Sequence, residues 1–111
     1  MKYYIEEETQ ELRKALEDEI LSWPKVTHRK MMGCPCYLAG GKMFAGLVTR
    51  GMVITKLTPD EKAELAEVHP VEPFTMSART TKKWARLTLE PEDLQKVLPY
   101  IRKSYQTALE A

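Results

Sequence analysis

The sequence predicts an α+β fold of two layers, an antiparallel β-meander with an N-terminal helix, a short middle helix, a further strand and a kinked C-terminal helix. Three observations carry this prediction. Residues 30–57 are rich in β-branched, aromatic and other apolar residues, and they are cut by two turn signals, Gly40-Gly41 and Arg50-Gly51. Apolar residues recur at helical spacing near both ends of the chain. Between these regions Thr58-Pro59-Asp60-Glu61 has the form of a capping box with proline at the first helical position.

The first helix is expected over residues 7–23, where Leu12, Leu16, Ile20 and Trp23 form one stripe, with acidic Glu6 to Glu8 at the positive end of its dipole and Pro24 after it. Residues 26–32 are read as an added strand before Gly33. The capped helix should run over 59–68 and close at His69-Pro70. Residues 71–81, with Pro73 and Phe74, read as an irregular crossing segment. Residues 83–89 alternate Ala85, Leu87 and Leu89 against Trp84, Arg86 and Thr88, as a half-buried strand does. The last helix starts at Glu90-Pro91-Glu92-Asp93 and presents Leu94, Val97, Leu98, Ile101, Tyr105 and Ala108 on its apolar side. Pro99 lies inside it, and a proline there removes the bond to the Gln95 carbonyl, so a kink or a break is expected near Leu98.

Two-residue loops at both glycine signals would pair Ala39 with Lys42 and Thr49 with Met52. One face of the sheet would then hold Cys34, Cys36, Leu38, Met43, Ala45, Leu47 and Ile54; the other would hold Tyr37, Phe44, Val48, Val53 and Leu57. Both faces are apolar, so each needs a cover: helices, the curl of the sheet or a second subunit.

The chain has 111 residues, of which 43% are apolar and 30% charged, as one ordinary globular domain over 1–111 does. No run reaches the ~18 apolar residues of a membrane span, and the N-terminus lacks the basic-then-apolar order of a secretory signal, so no membrane partner and a cytoplasmic location are expected. Net charge is +1 but unevenly placed. Residues 1–20 carry seven acids and three bases, whereas residues 21–57 carry six bases and no acid. The expected helices are acidic or balanced and the expected strands basic.

Three groups of side chains are candidates for function. Cys34 and Cys36 project to one side of an extended backbone, and His28 or His69 could complete a metal set, although paired structural zinc cysteines usually stand further apart. The alternative is two buried structural thiols. Arg79, Lys82, Lys83 and Arg86 beside Trp84 could grip an anion or a nucleic acid, or could cover the indole and pair with neighbouring acids. Tyr37, Phe44, Val48 and Val53 are either core or the apolar interface of a homodimer. No phosphate-cradling glycine loop, paired acid and base or nucleophile elbow occurs, so no catalytic residue and no cofactor is assigned.

The order helix, K-x-M-G, aromatic strand, G-K-M-F-A, short helix, strand and C-terminal helix resembles the N-terminal domain of the TfoX/Sxy family. Lys30, Met31, Gly33, Tyr37, Gly41, Lys42, Met43, Phe44 and Ala45 carry the likeness, followed by Phe74 and Trp84. Met32 and Cys34-Pro35-Cys36 depart from the glycine-rich, Phe-containing first strand usual there. The resemblance implies an α+β fold and a regulatory or interaction role. Two-domain members regulate natural competence, and a second domain is not expected in a chain of this length. Together these readings lead to a small cytoplasmic, non-enzymatic domain acting on an unidentified protein partner and expected as a homodimer, with nucleic-acid or anion binding and a cysteine-based metal or redox role as alternatives.

Overall fold

A computed structural model describes residues 4–31, 33–76 and 79–110, with the backbone alone over 73–76 and 79–83. The elements are α1 (Glu6–Ile20), β1 (Val26–Met31), β2 (Cys34–Ala39), β3 (Lys42–Val48), β4 (Gly51–Ile54), α2 (Pro59–Val68), β5 (Glu72–Met76), β6 (Arg79–Thr88) and α3 (Leu94–Glu110). The strands form one antiparallel sheet in the order β1-β2-β3-β4-β6-β5. The α+β architecture is the expected one. Among the described residues no helix is long and apolar enough to cross a membrane.

α1 buries Leu12, Leu16 and Ile20 along its stripe, together with Thr9. It stops before Trp23, because a residue preceding proline is pushed out of helical backbone. From the turn, Trp23 still packs on Phe44 and Tyr105, with ring centroids 6.4 and 4.9 Å apart. α2 spans the residues its capping box marks: the Thr58 hydroxyl accepts from Glu61 N–H, and the Glu61 carboxylate accepts from Thr58 N–H. α3 follows a 3-10 turn at Pro91–Asp93 and runs unbroken through Pro99, so the proline kinks the helix and does not end it.

The register differs from the expected one in two places. Gly40-Gly41 does make the two-residue loop, with φ of 59° and 86°, and Ala39 pairs with Lys42. Beyond Leu38↔Met43, however, the ladder skips Phe44, and Tyr37 pairs with Ala45. Phe44 is the extra residue of a β-bulge. As a result Phe44 and Ala45 both enter the helix-side core. The bulge leaves the Phe44 carbonyl outside the ladder, where the buried Ser104 hydroxyl of α3 donates to it at 2.7 Å and Thr55 N–H at 3.2 Å.

The second loop is Thr49-Arg50, not Arg50-Gly51, since Val48 pairs with Gly51. Gly51 is needed inside the ladder: a Cβ there would lie 1.9 Å from the Leu87 carbonyl oxygen. Arg50 therefore takes the positive φ of 60° itself. Its N–H donates to Thr9 Oγ1 at 3.1 Å and its carbonyl accepts from Leu89 at 2.9 Å, which holds the turn against α1 and the end of β6.

These two shifts rearrange the faces. Tyr37, Ala39, Phe44, Ala45, Leu47, Met52 and Ile54 pack in one core with the buried side chains of all three α-helices. Cys34, Cys36, Leu38, Met43, Val48 and Val53 belong to the opposite face, where Met43 and Trp84 pack against Val48 and Val53. Thus Ala45, Leu47 and Ile54 join Tyr37 and Phe44, and Val48 and Val53 leave them. Both faces are buried, as their composition requires. Residues 71–81 are a further correction, since β5 and the start of β6 replace the irregular segment. β5 is an edge strand, the position in a sheet that tolerates Pro73. Met32 and the side chain of Phe74 lie outside the described residues.

Candidate functional site

Cys34 and Cys36 are 6% and 4% exposed, and the Cys36 thiol donates to the Cys34 carbonyl at 3.5 Å. Burial pushes both thiols above their ordinary range, and for Cys36 the neighbouring Cys34 adds to it. His28 pairs with Tyr37, while Cys36 pairs with Arg29 and Cys34 with Met31. Directly paired residues share a face, so His28 sits on the opposite side of the sheet from both thiols. His69 caps α2, and its Nε2–H donates to the Thr88 carbonyl at 2.7 Å. Among the described residues no three His, Cys, Asp or Glu side chains come together as a metal set.

The basic segment is only partly described. Arg79, Lys82 and Lys83 have side chains outside the described residues. Trp84 is half-buried against Val48 and Val53, and Arg86, on the same face, reaches Glu72 at 3.9 Å and the Thr88 hydroxyl at 3.4 Å. The four interface candidates are core. Tyr37 and Phe44 are fully buried under the helices, and Val48 and Val53 are 4% and 2% exposed on the other face.

A chain of polar contacts explains how buried Tyr37 is satisfied. Its hydroxyl donates to Glu17 at 2.6 Å, Arg13 donates to Glu17 at 2.9 Å and to Glu6 at 2.7 Å, and the Tyr4 hydroxyl donates to Glu6. Burial and the bond to Glu17 push the Tyr37 phenol far up, and the same causes with Glu6 push Tyr4 up to about 12. Both phenols stay neutral near neutrality, and the contacts tie α1 to β2. A separate hollow of about 230 Å³, between α1, the Thr49-Arg50 turn and the chain after β6, is lined by Glu7, Glu8, Glu11 and Glu90 around Arg50, which Glu8 already pairs.

What remains is β1, which sequence reasoning treated only as an added strand. Val26 is half-buried, and Thr27, His28, Arg29, Lys30 and Met31 are exposed. β1 closes one end of the sheet order, so half of its backbone groups have no strand to pair with among the described residues. Which half follows from the ladder. The Lys25 carbonyl accepts from Gly40 N–H, so Thr27, Arg29 and Met31, in phase with Lys25, exchange bonds with β2. Pro35 agrees with this phase, because it stands opposite Lys30, where no N–H toward β1 is required. His28 and Lys30 therefore turn their N–H and C=O groups outward.

The edge is also basic. None of His28, Arg29 and Lys30 makes an ion pair with a described carboxylate. His28 and Lys30 lie on the helix side of the sheet and Arg29 on the other, so both flanks of the open edge carry positive charge. The signal was present in the sequence: a strand polar on both faces is an edge strand.

The family model for the TfoX N-terminal domain matches residues 18–108. That match takes in β1 with the rest of the sheet. Neither a curated protein nor a solved structure matches the chain.

Proposed function

The chain belongs to the TfoX N-terminal domain family, and on that premise we propose that it is a non-enzymatic regulatory domain of the cytoplasm, working by protein–protein contact through β1. One observation carries the reading: beside β2, whose six residues are all buried, β1 ends the sheet with five exposed residues and a backbone edge that no described strand pairs. An open edge of this kind is a template for another polypeptide. The candidate groups read from the sequence support the same choice. The cysteines are packed away from solvent, and Arg86 is engaged with Glu72. Self-association through Tyr37, Phe44, Val48 and Val53 is left out of the proposal, because a single chain already buries all four.

Photocrosslinking tests it. Met31 and Leu109 are similarly exposed, at 40% and 37%, but only Met31 lies on β1. A photoreactive residue at position 31 should yield a covalent adduct with another polypeptide in intact cells, and one at position 109 should not. Equal labelling from both positions, or none from position 31, would contradict the proposal.

A further inference from the structure

Resting on the interaction reading above, we infer that β1 is an augmentation site for an acidic, extended segment of a second protein, which adds to the sheet as a seventh strand outside β1. Two independent features agree on this occupant. The first is the backbone. His28 and Lys30 present outward N–H and C=O groups at the spacing of a strand ladder, and no described residue bonds to them. A bound strand would satisfy each of these groups in turn. The second is charge: Arg29 flanks the edge on one side and Lys30 on the other, without a described ion-pair partner. Lys30 does lie close enough to Glu6 to help hold that carboxyl below its usual range, behind the larger effects of Tyr4 and Arg13, so part of its field is directed toward α1. Arg29 faces the other way, where its charge acts on the buried Cys36 thiol.

The same charges argue against the obvious rival, a second copy of this chain. Two β1 strands paired antiparallel about a two-fold axis would set His28, Arg29 and Lys30 of one copy against the same three residues of the other, and like charges directly opposite destabilise a ladder. Basic side chains on an edge are also a general guard against self-pairing. That guard works by repulsion of like segments, and for this reason it selects for an acidic one. Exposed Met31 at the end of the strand gives one apolar contact to fix the register. A nucleic acid would be drawn by the charges but would have no use for the alternating backbone groups.

The probe is an N-acetylated, C-amidated octapeptide of alternating Glu and Val, titrated into the full chain and followed by backbone amide NMR with hydrogen exchange. The inference expects new exchange protection at the His28 and Lys30 amides, with Thr27 and Arg29 protected before and after, and binding that weakens as salt is raised. His28→Pro removes one outward donor without removing a bond to β2, and should abolish binding while the remaining amide spectrum stays native. Should that variant fail to fold, the double variant Arg29→Glu, Lys30→Glu keeps the question open to test. It should weaken the acidic peptide by on the order of tenfold or more and take up the corresponding Lys-Val peptide instead. Absence of protection at His28 and Lys30 in the wild type overturns the inference, as does unchanged affinity in the charge-reversed variant. Protection produced by a single-stranded oligothymidylate and not by the peptide would replace it with a nucleic-acid site. A polypeptide adduct from position 31 without peptide binding would sink the acidic-strand chemistry alone; failure of both would sink the interaction reading with it.

Discussion

β1 and β2 are neighbours of equal length, joined residue for residue from Val26↔Ala39 to Met31↔Cys34, yet β2 is buried throughout and β1 is exposed at all but Val26. The ladder between them is the same set of backbone bonds seen from two sides. What differs is what stands beyond. β2 has β3 on its far side, the helix layer over Tyr37 and Ala39, and Met43 near Cys36 on the other face, where both approach Gly46. β1 has no described strand on its far side. Val-Thr-His-Arg-Lys-Met and Cys-Pro-Cys-Tyr-Leu-Ala are composed accordingly, the first for water on both faces and the second for none. Stability belongs to β2 and the strands behind it, and the proposed recognition to β1.

The comparison breaks most visibly on the buried side. Phe44, the bulge residue, lies 5.5 Å edge-to-face from Tyr105 and stacks on Trp23. Phe44→Ala should therefore destabilise the chain by about 3–5 kcal/mol in urea unfolding, the cost of truncating a buried aromatic. A loss below ~1 kcal/mol would mean that the bulge does not direct Phe44 inward.

A smaller effect is expected at Tyr37, where removing the hydroxyl keeps the ring in the core but deletes its bond to Glu17. Tyr37→Phe should cost about 1 kcal/mol near neutral pH, since Arg13 still occupies the carboxylate. Its pH signature is more specific. Burial raises the folded-state pKa of Cys34, Cys36 and Tyr37, so each favours the folded state in its neutral form. That contribution is complete below the unfolded values, 9.0 for the thiols and 10.0 for the phenol, and is lost as pH rises beyond them. Wild-type stability should fall from about pH 9 upward, and Tyr37→Phe should flatten the part of the fall above pH 10. Superimposable alkaline profiles would show that the phenol is not held neutral by its surroundings.

The smallest effect belongs to the exposed side. Arg29→Ala should change stability by no more than about 0.5 kcal/mol, as surface substitutions away from caps and networks do. A larger loss in urea unfolding would place Arg29 in a structural role.

The sequence made the helices legible because their signals are local. The Thr58 box and Pro59 mark α2 within four residues, and the stripes of α1 and α3 need only their own spacing. The sheet was legible in composition but not in register. Nothing near Phe44 announces a bulge, because the carbonyl it frees is answered by Ser104, sixty residues away. Gly51 looked like a turn glycine, although the atom that demands it belongs to Leu87 of another strand. Pro73 in β5 hid a strand that an edge position permits. The candidate site left a trace in the sequence, six bases without an acid over 21–57 that include Arg29 and Lys30 and a strand polar on both faces, but the order of strands is what places β1 at an edge.

The most direct test of this division is native-state amide hydrogen exchange along β1 in the free protein. If β1 is a paired strand with one open side, the amides of Thr27, Arg29 and Met31 exchange slowly through their bonds to β2, and those of His28 and Lys30 exchange fast. Uniform protection along the strand would mean that its outer edge is already occupied, and uniform fast exchange that β1 is not paired to β2; either would contradict the account.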